Sequence, residues 1–125
     1  MKKKILIAED NAAIRQMLNF LLTREGYEVE MAIHGKDALE KATLKQPDLI
    51  LMDVMMFGVD GYQVCRTLKS DAKTSQIPVV LVSARGQKSE QEEGLAAGAS
   101  AYIVKPFDPE NLMGVVAGIL KSPKQ

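Results

Sequence analysis

Short apolar runs alternate along this chain with longer segments whose apolar residues recur at helical spacing. Four of the runs are nearly continuous, namely Ile5–Ala8, Leu49–Met52, Val79–Val82 and Ala101–Val104. Runs of this kind are typical of strands buried on both faces, as in parallel sheets covered by helices. A further run, Tyr27–Ala32, alternates apolar and acidic residues and predicts a strand nearer the edge of the sheet.

Each predicted strand is followed by a segment with helical periodicity. The predicted helices begin after an N-cap at Asn11, at Gly35, after a turn over Gly58–Gly61, at Glu90 and at Pro109. Gly26 and Gly98 stand where the first and fourth of these helices would end in a left-handed residue. A strand followed by a helix, repeated five times, predicts an α/β fold with a parallel sheet.

Charged or hydroxyl side chains follow all four buried runs. Glu9 and Asp10 come after the first run, Asp53 after the second, Ser83 after the third and Lys105 after the fourth. In open α/β sheets, ligands bind in the crevice beyond the carboxyl ends of the strands. The pattern therefore predicts a site that contains three carboxylates, one hydroxyl and one ammonium group.

Composition narrows the class of protein. The chain has 125 residues, which predicts one domain over 1–125, and its 16 basic residues balance its 16 acidic ones. This balance gives no global attraction for nucleic acid or for a membrane surface. The single cysteine, Cys65, excludes an internal disulfide and fits a reducing compartment. With no signal peptide and no apolar stretch near the ~20 residues that span a bilayer, we expect a cytoplasmic protein.

The predicted cluster of charges has a specific chemistry. Three converging carboxylates repel one another, so at least one should have a raised pKa unless a cation neutralises them. An all-oxygen cluster suits a hard divalent ion such as Mg²⁺ or Mn²⁺, and the ammonium of Lys105 suits a phosphate oxygen. A carboxylate nucleophile, a metal ion and a lysine are the components needed to transfer a phosphoryl group onto Asp53.

Five motifs carry a resemblance to a known family. They are ILIAEDN at 5–11, LILMDVMM at 49–56, GVDGY at 58–62, PVVLVSA at 78–84 and GASAYIVKPF at 98–107. From residue 4 to about 120, the chain resembles the receiver domains of bacterial two-component response regulators, of which the single-domain chemotaxis regulator is one. The resemblance implies a doubly wound, flavodoxin-like parallel sheet of five strands in the order 2-1-3-4-5, flanked by five helices.

The resemblance implies roles for the residues at the strand ends. Asp53 matches the residue that accepts phosphate, and Lys105 matches the phosphate-binding lysine. Glu9 and Asp10 match the acidic pair of the Mg²⁺ site, with Asp10 as the direct ligand and Glu9 acting through water. Asp53 and the backbone carbonyl of Met55 would complete the metal site.

A second set of matching positions concerns the response to phosphate. Ser83 matches the switch hydroxyl, and Tyr102 matches the aromatic residue that turns inward when this hydroxyl engages phosphate. Ala84 matches a small residue that keeps the site accessible, and Met55 and Arg85 match positions that govern the access of water. Neither Met55 nor Arg85 can act as a base, so we expect slow loss of phosphate. In the family, the bond that corresponds to Lys105–Pro106 is cis.

The resemblance implies a signalling switch in a two-component phosphorelay and not a turnover enzyme. Its expected partners are a sensor histidine kinase or phosphotransfer protein, which donates the phosphate, and a downstream output protein or domain. No nucleic acid or membrane is an expected partner. We also expect a monomer, because Ser100–Ala101 and the last helix lack the charges that form the ion-pair network of dimeric relatives.

Two other functions stay open at this point. A metal-dependent phosphohydrolase would normally carry a second carboxylate two residues after Asp53, but that position is Met55. A degenerate receiver that serves as a constitutive interaction module is the other candidate. Its motivation is Phe57, which stands where most relatives have a proline beside the metal loop.

Overall fold

The structure, a computed structural model, describes residues 2–56 and 59–121, with Val59 described by its backbone only. Phe57 and the expectations that concern it lie outside the described residues. The strands are β1 (Lys4–Ala8), β2 (Glu28–Ala32), β3 (Leu49–Asp53), β4 (Met55–Met56), β5 (Val59–Asp60), β6 (Val79–Ser83) and β7 (Ala101–Val104). The helices are α1 (Ala12–Arg24), α2 (Gly35–Lys45), α3 (Gly61–Ser70), α4 (Lys88–Ala96) and α5 (Pro109–Lys121).

Five parallel strands form the main sheet in the order β2-β1-β3-β6-β7. Counted among the strands of this sheet alone, the order is 2-1-3-4-5, so the predicted fold and topology are confirmed. The chain passes from β1 to β2 on one side and then returns to place β3 on the other side of β1. The order therefore reverses between β1 and β3, and a crevice is expected beyond their carboxyl ends.

Alternate residues of the buried strands point to two separate apolar layers. Leu6 and Ala8 belong to a layer that includes apolar residues of α2 and α3, whereas Ile5 and Ile7 belong to a layer that includes apolar residues of α1 and α5. Covering both faces of the sheet explains why the central strands are almost entirely apolar. Among the described residues, no helix combines the length and the hydropathy that crossing a membrane requires.

The signals for helix ends act as predicted. The Asn11 side chain accepts a hydrogen bond of 3.0 Å from the backbone N–H of Ile14 and caps α1. Gly26 and Gly98 have φ angles of 94° and 104°, which are left-handed conformations that glycine adopts easily. Helix α4 begins two residues before the predicted Glu90, whose side chain accepts a hydrogen bond from the N–H of Gln87 at 3.2 Å.

A two-stranded antiparallel ribbon, β4 with β5, corrects the prediction after Asp53. The sequence predicts a simple turn over Gly58–Gly61, but Val59–Asp60 pairs with Met55–Met56, and Gly61 is the first residue of α3. Gly58 lies outside the described residues. Strands of two residues are too short to show an alternating pattern, and no sequence period could have indicated them.

Glycine at position 61 permits a close approach between α3 and the end of β3. A Cβ atom there would lie 2.6 Å from the Cα of Val54 and 2.7 Å from the carbonyl oxygen of Asp53, both of them backbone atoms. We expect Gly61→Ala to lower the free energy of unfolding by about 2–3 kcal/mol, because the backbone must move apart.

Gly114 of α5 provides the matched control, because a Cβ atom there would meet nothing within 4 Å. Gly114→Ala should raise the free energy of unfolding by about 0.5–1 kcal/mol, since alanine favours helix. Urea unfolding of both variants checks the pair. Equal effects of the two substitutions would contradict the close approach at Gly61.

Candidate functional site

The three carboxylates predicted at the strand ends do converge. Ala8 of β1 pairs with Met52 of β3, so the residues that follow leave neighbouring strands at the point where the strand order reverses. Glu9, Asp10 and Asp53 each offer an oxygen atom, and these oxygens all lie within 4.8 Å of one another. Glu9 and Asp53 are buried, with 2% and 6% of their surfaces exposed, whereas Asp10 is exposed.

Lys105 joins the two buried carboxylates. Its Nζ atom lies 3.1 Å from Oε1 of Glu9 and 3.1 Å from Oδ2 of Asp53. The backbone N–H of Lys105 donates to the carbonyl of Ser83 at 2.7 Å, which fixes the loop that follows β7 to the end of β6. The Lys105–Pro106 bond is cis, as the resemblance implies. The structure therefore places the ammonium group at the crevice between β1 and β3.

Backbone and side-chain donors hold the other acceptor atoms of the cluster. The N–H of Asn11 donates to Oε2 of Glu9, and the N–H of Met55 donates to Oδ1 of Asp53, each at 3.1 Å. The Arg15 guanidinium donates to the carbonyls of Glu9 and Asp10 at 2.9 and 3.3 Å. Sequence reasoning missed Arg15; its position one helical turn after the N-cap Asn11 is the signal that could have indicated it.

Burial and crowding change the pKa values at this site. Burial, followed by repulsion from Asp53, raises the pKa of Glu9 to about 7, although the N–H of Asn11 and the charge of Lys105 partly offset this. Burial by itself lowers the pKa of Lys105, but its hydrogen bonds and ion pairs with Asp53 and Glu9 outweigh burial, and the net direction is upward. The prediction of a raised carboxylate pKa therefore applies to the buried Glu9.

The donor set of this cluster suits a divalent cation. All three candidate ligands are carboxylates, and Mg²⁺ prefers oxygen ligands of this kind. Lys105 supplies a single positive charge to three carboxylates, so a cation would find acidic groups that the ammonium does not neutralise. Asp10, which is the exposed member, is the carboxylate that a hydrated ion can reach most directly.

Ser83 ends β6 and Ala84 follows it, next to the loop of Lys105 that bonds to the Ser83 carbonyl. Ser83 is fully buried, and its Oγ accepts a hydrogen bond of 2.9 Å from the N–H of Arg85. Ala84 is exposed and lines a cavity of about 360 Å³, together with Lys105 and apolar residues of α1 and the loop after β7. A small residue at position 84 therefore leaves space beside the Lys105 side chain.

Tyr102, like Ser83, contacts the backbone of Arg85. Its ring packs against the apolar layer that contains α3, and its hydroxyl donates to the carbonyl of Arg85 at 2.8 Å. The Tyr102 hydroxyl also lies 3.0 Å from the hydroxyl of Tyr62, a residue that sequence reasoning missed. Ser83 and Tyr102 thus hold the N–H and the carbonyl of Arg85 from two directions.

Comparisons with known proteins agree with this geometry. The family model described as the response regulator receiver domain matches residues 5–117. The phosphate regulon transcriptional regulatory protein PhoB of Rhizobium meliloti (strain 1021) is 38% identical over 124 residues, which are 99% of this chain and 55% of that protein. The chain thus spans about half the length of this relative.

Solved structures show the same fold. The chemotaxis protein CheY4 of Vibrio cholerae matches with a TM-score of 0.89 and 32% identity, over 95% of this chain and 99% of that one. The receiver domain of the sensor histidine kinase PA1611 of Pseudomonas aeruginosa PAO1 matches with a TM-score of 0.89 and 27% identity, over 98% of this chain and all of that one, and has a magnesium ion coordinated in its active-site cleft. This chain belongs to the response regulator receiver domain family.

Proposed function

We propose that this chain is a phosphorylation-activated switch in which Asp53 accepts a phosphoryl group from the phosphohistidine of a sensor histidine kinase or phosphotransfer protein. Membership of the receiver family supports signalling by phosphorylation in general. One observation carries the specific proposal. The Asp53 carboxylate lies beside an acidic pair and 3.1 Å from the ammonium of Lys105, at the reversal of strand order.

The transfer step follows from this placement. A carboxylate oxygen of Asp53 attacks the phosphorus atom, the P–N bond breaks, and its electron pair returns to the imidazole of the donor. Lys105, whose ammonium already lies 3.1 Å from Oδ2 of Asp53, is placed to stabilise negative charge on the oxygens of the transferring group. The N–H of Met55 keeps the Asp53 side chain oriented throughout the step.

A divalent cation fits the proposal. Asp10 and Asp53 would bind it directly, Glu9 would act through water, and the backbone carbonyl of Met55 would complete the set. When bound, Mg²⁺ would neutralise charge on the transferring phosphoryl group. The acidic cluster supports this assignment, as does the magnesium ion in the PA1611 receiver domain. Mn²⁺ has the same preference for oxygen and is a second candidate.

The response to phosphate would pass through Ser83 and Arg85. Phosphorylation places about −1.5 to −2 charges at Asp53, together with new acceptor oxygens, and draws the Ser83 hydroxyl toward them. That hydroxyl now accepts from the N–H of Arg85, and Tyr102 holds the Arg85 carbonyl, so a shift of Ser83 reaches the loop before α4. The altered surface would bind an output protein or domain.

Loss of phosphate should be slow, which makes the protein a switch and not a turnover enzyme. Met55 is 54% exposed beside Asp53, and its side chain can obstruct water without activating it. Incubation with Mg²⁺ and acetyl phosphate tests the proposal by intact-mass measurement. One stable adduct per chain is expected. Release of free phosphate over many turnovers would indicate a phosphohydrolase. No reaction would indicate an interaction module.

Replacing Lys105 should have opposite effects on stability and on metal binding. Lys105→Met removes two charge-assisted hydrogen bonds from Glu9 and Asp53, so the metal-free protein should lose about 1–3 kcal/mol of unfolding free energy. The same change removes a cation from the site, and Mg²⁺ should bind about 3- to 10-fold more tightly.

Urea unfolding and isothermal titration with Mg²⁺ check the two effects. Lys121→Met, an exposed lysine in the last turn of α5, is the control and should change neither quantity appreciably. Weaker Mg²⁺ binding in Lys105→Met would contradict the assignment of the cluster as a metal site.

A further inference from the structure

Two tyrosine hydroxyls meet beneath the loop that joins β6 to α4. Tyr62, in the first turn of α3, is buried with 1% of its surface exposed, and Tyr102 comes from β7. Their hydroxyl oxygens are 3.0 Å apart. The Tyr62 hydroxyl also donates to the carbonyl of Glu90 in α4 at 3.1 Å. This tyrosine pair therefore connects α3, β7, α4 and the loop that contains Arg85.

We propose that Tyr62 is a positioning residue for Tyr102, and that its hydroxyl, together with the space left by Gly94, sets the fraction of molecules in which Tyr102 is turned inward. The proposal rests on the proposed function of Ser83 and Tyr102 as the switch. It adds a residue of α3 that does not contact the phosphate site.

The number of hydroxyl protons determines which tyrosine of the pair can donate a hydrogen bond to the other. Each hydroxyl has a single proton, and the Tyr102 proton is used in the bond to the carbonyl of Arg85 at 2.8 Å. The Tyr62 proton then has two acceptors, the carbonyl of Glu90 at 3.1 Å and the Tyr102 oxygen at 3.0 Å, so the hydroxyls are hydrogen-bonded only where Tyr62 shares its proton between them. Burial and the bond with Tyr102 both raise the pKa of the Tyr62 hydroxyl, which therefore keeps its proton. Tyr62 therefore stabilises the inward ring through a proton that it shares with the carbonyl of Glu90.

Gly94 supplies the space that the inward ring occupies. It is a buried residue of α4, and a Cβ atom built there would lie 2.7 Å and 3.0 Å from the Cδ2 and Cε2 atoms of the Tyr102 ring. It would also lie 3.1 Å from Cδ1 of Leu81. A side chain at this position and the inward ring of Tyr102 therefore compete for the same volume.

Tyr62 is itself fixed relative to the phosphoacceptor. The N–H of Gly61 donates to the carbonyl of Val54 at 2.6 Å, which attaches the start of α3 to the residue that follows Asp53. The side chain of Asp60 caps the helix by accepting from the N–H of Tyr62 at 2.9 Å. Tyr62 is thus anchored to the end of β3, whereas Tyr102 is part of the proposed switch.

Ring-labelled tyrosine provides a direct measurement. The chain has three tyrosines, so ¹³C-tyrosine gives three sets of ring resonances, which Tyr→Phe variants assign. In Tyr62→Phe the Tyr102 ring should shift toward the outward position, with a ratio of inward to outward molecules about 3- to 10-fold lower, as expected for the loss of one neutral hydrogen bond. In Gly94→Ala the inward resonance should disappear.

Tyr27→Phe is the matched control, because Tyr27 packs against the apolar layer that contains α1 and α5, on the other face of the sheet. It should leave the Tyr102 resonance unchanged. Tyr102 resonances identical to wild type in Tyr62→Phe, before and after acetyl phosphate with Mg²⁺, would overturn the role of Tyr62, and identical resonances in Gly94→Ala would overturn the role of the space at Gly94. Urea unfolding verifies that each variant is folded. If Tyr62→Phe does not fold, Gly94→Ala still tests whether the inward position of the Tyr102 ring depends on the space at Gly94.

Intact-mass measurement on the same samples separates this proposal from the proposed function. An adduct on Tyr62→Phe together with a displaced Tyr102 ring supports both. The absence of an adduct on the wild-type chain would refute phosphoryl acceptance, while the ring resonances would still decide whether Tyr62 positions Tyr102.

Discussion

Replacing Asp53 with asparagine should abolish formation of the phosphoryl adduct. The amide is nearly isosteric with the carboxylate and can still accept the hydrogen bond from the N–H of Met55, so the loop should keep its conformation. It lacks the charged oxygen that attacks phosphorus, and we expect adduct formation with acetyl phosphate to fall by more than about 100-fold. Intact-mass measurement in the presence of Mg²⁺ follows adduct formation directly.

Asp71→Asn is a suitable control for this experiment. Asp71 is exposed after α3, where its side chain accepts a hydrogen bond from the N–H of Lys73, a role that asparagine can fill. This variant should form the adduct as the wild type does. An adduct that persists undiminished in Asp53→Asn would remove Asp53 from the role of phosphoacceptor, whatever the behaviour of the control.

The fold could be predicted because its determinants are local and repeated. Each buried strand is a continuous apolar run, and the end of α1 and the end of α4 are marked by glycines with positive φ. Strand order, in contrast, depends on which strands meet across the sheet, and it came from the resemblance to receiver domains. The β4–β5 ribbon was missed because each of its strands has only two residues.

The candidate site could be predicted only in part. The three carboxylates and Lys105 were identified because each follows a buried run, and parallel strands bring such residues to one edge. Tyr62 acts through contacts with residues 28 and 40 positions away in sequence, whereas Arg15 contacts backbone carbonyls only five and six positions away, which a pattern of apolar residues does not indicate. In the sequence, Tyr62 fits the pattern of an ordinary core residue near the start of a helix. Only the structure places its hydroxyl 3.0 Å from the hydroxyl of Tyr102.

The sequence also could not assign the electrostatic cost to one carboxylate. Three acidic residues were expected to repel one another and to raise the pKa of at least one of them, but the sequence did not show that Asp10 is exposed and that Glu9 is only 2% exposed. Burial differs between adjacent residues because Glu9 continues the line of β1, its N–H donating to the carbonyl of Ala32 at 3.1 Å. The unfavourable free energy of burying and crowding these carboxylates therefore falls on Glu9.

Glu9 should make the metal-free protein less stable as the pH rises. Its pKa is about 7 in the folded chain, against about 4.5 for an unperturbed glutamate. Between these values the folded chain keeps a proton that the unfolded chain has released, so the free energy of unfolding decreases with pH. The loss is nearly complete about one pH unit above 7, where we expect Glu9→Gln to be about 3 kcal/mol more stable than wild type. Near pH 4.5 the two proteins should differ little.

Urea unfolding with a chelator at several pH values, for wild type and Glu9→Gln, isolates this contribution because all other titrating groups are shared. Glu28→Gln, which changes an exposed glutamate at the start of β2, is the control and should follow wild type at every pH. Asp10→Asn should stabilise the metal-free protein much less than Glu9→Gln, because Asp10 is exposed to solvent. A difference between wild type and Glu9→Gln that does not grow with pH would show that the pKa of Glu9 is not raised in the folded chain.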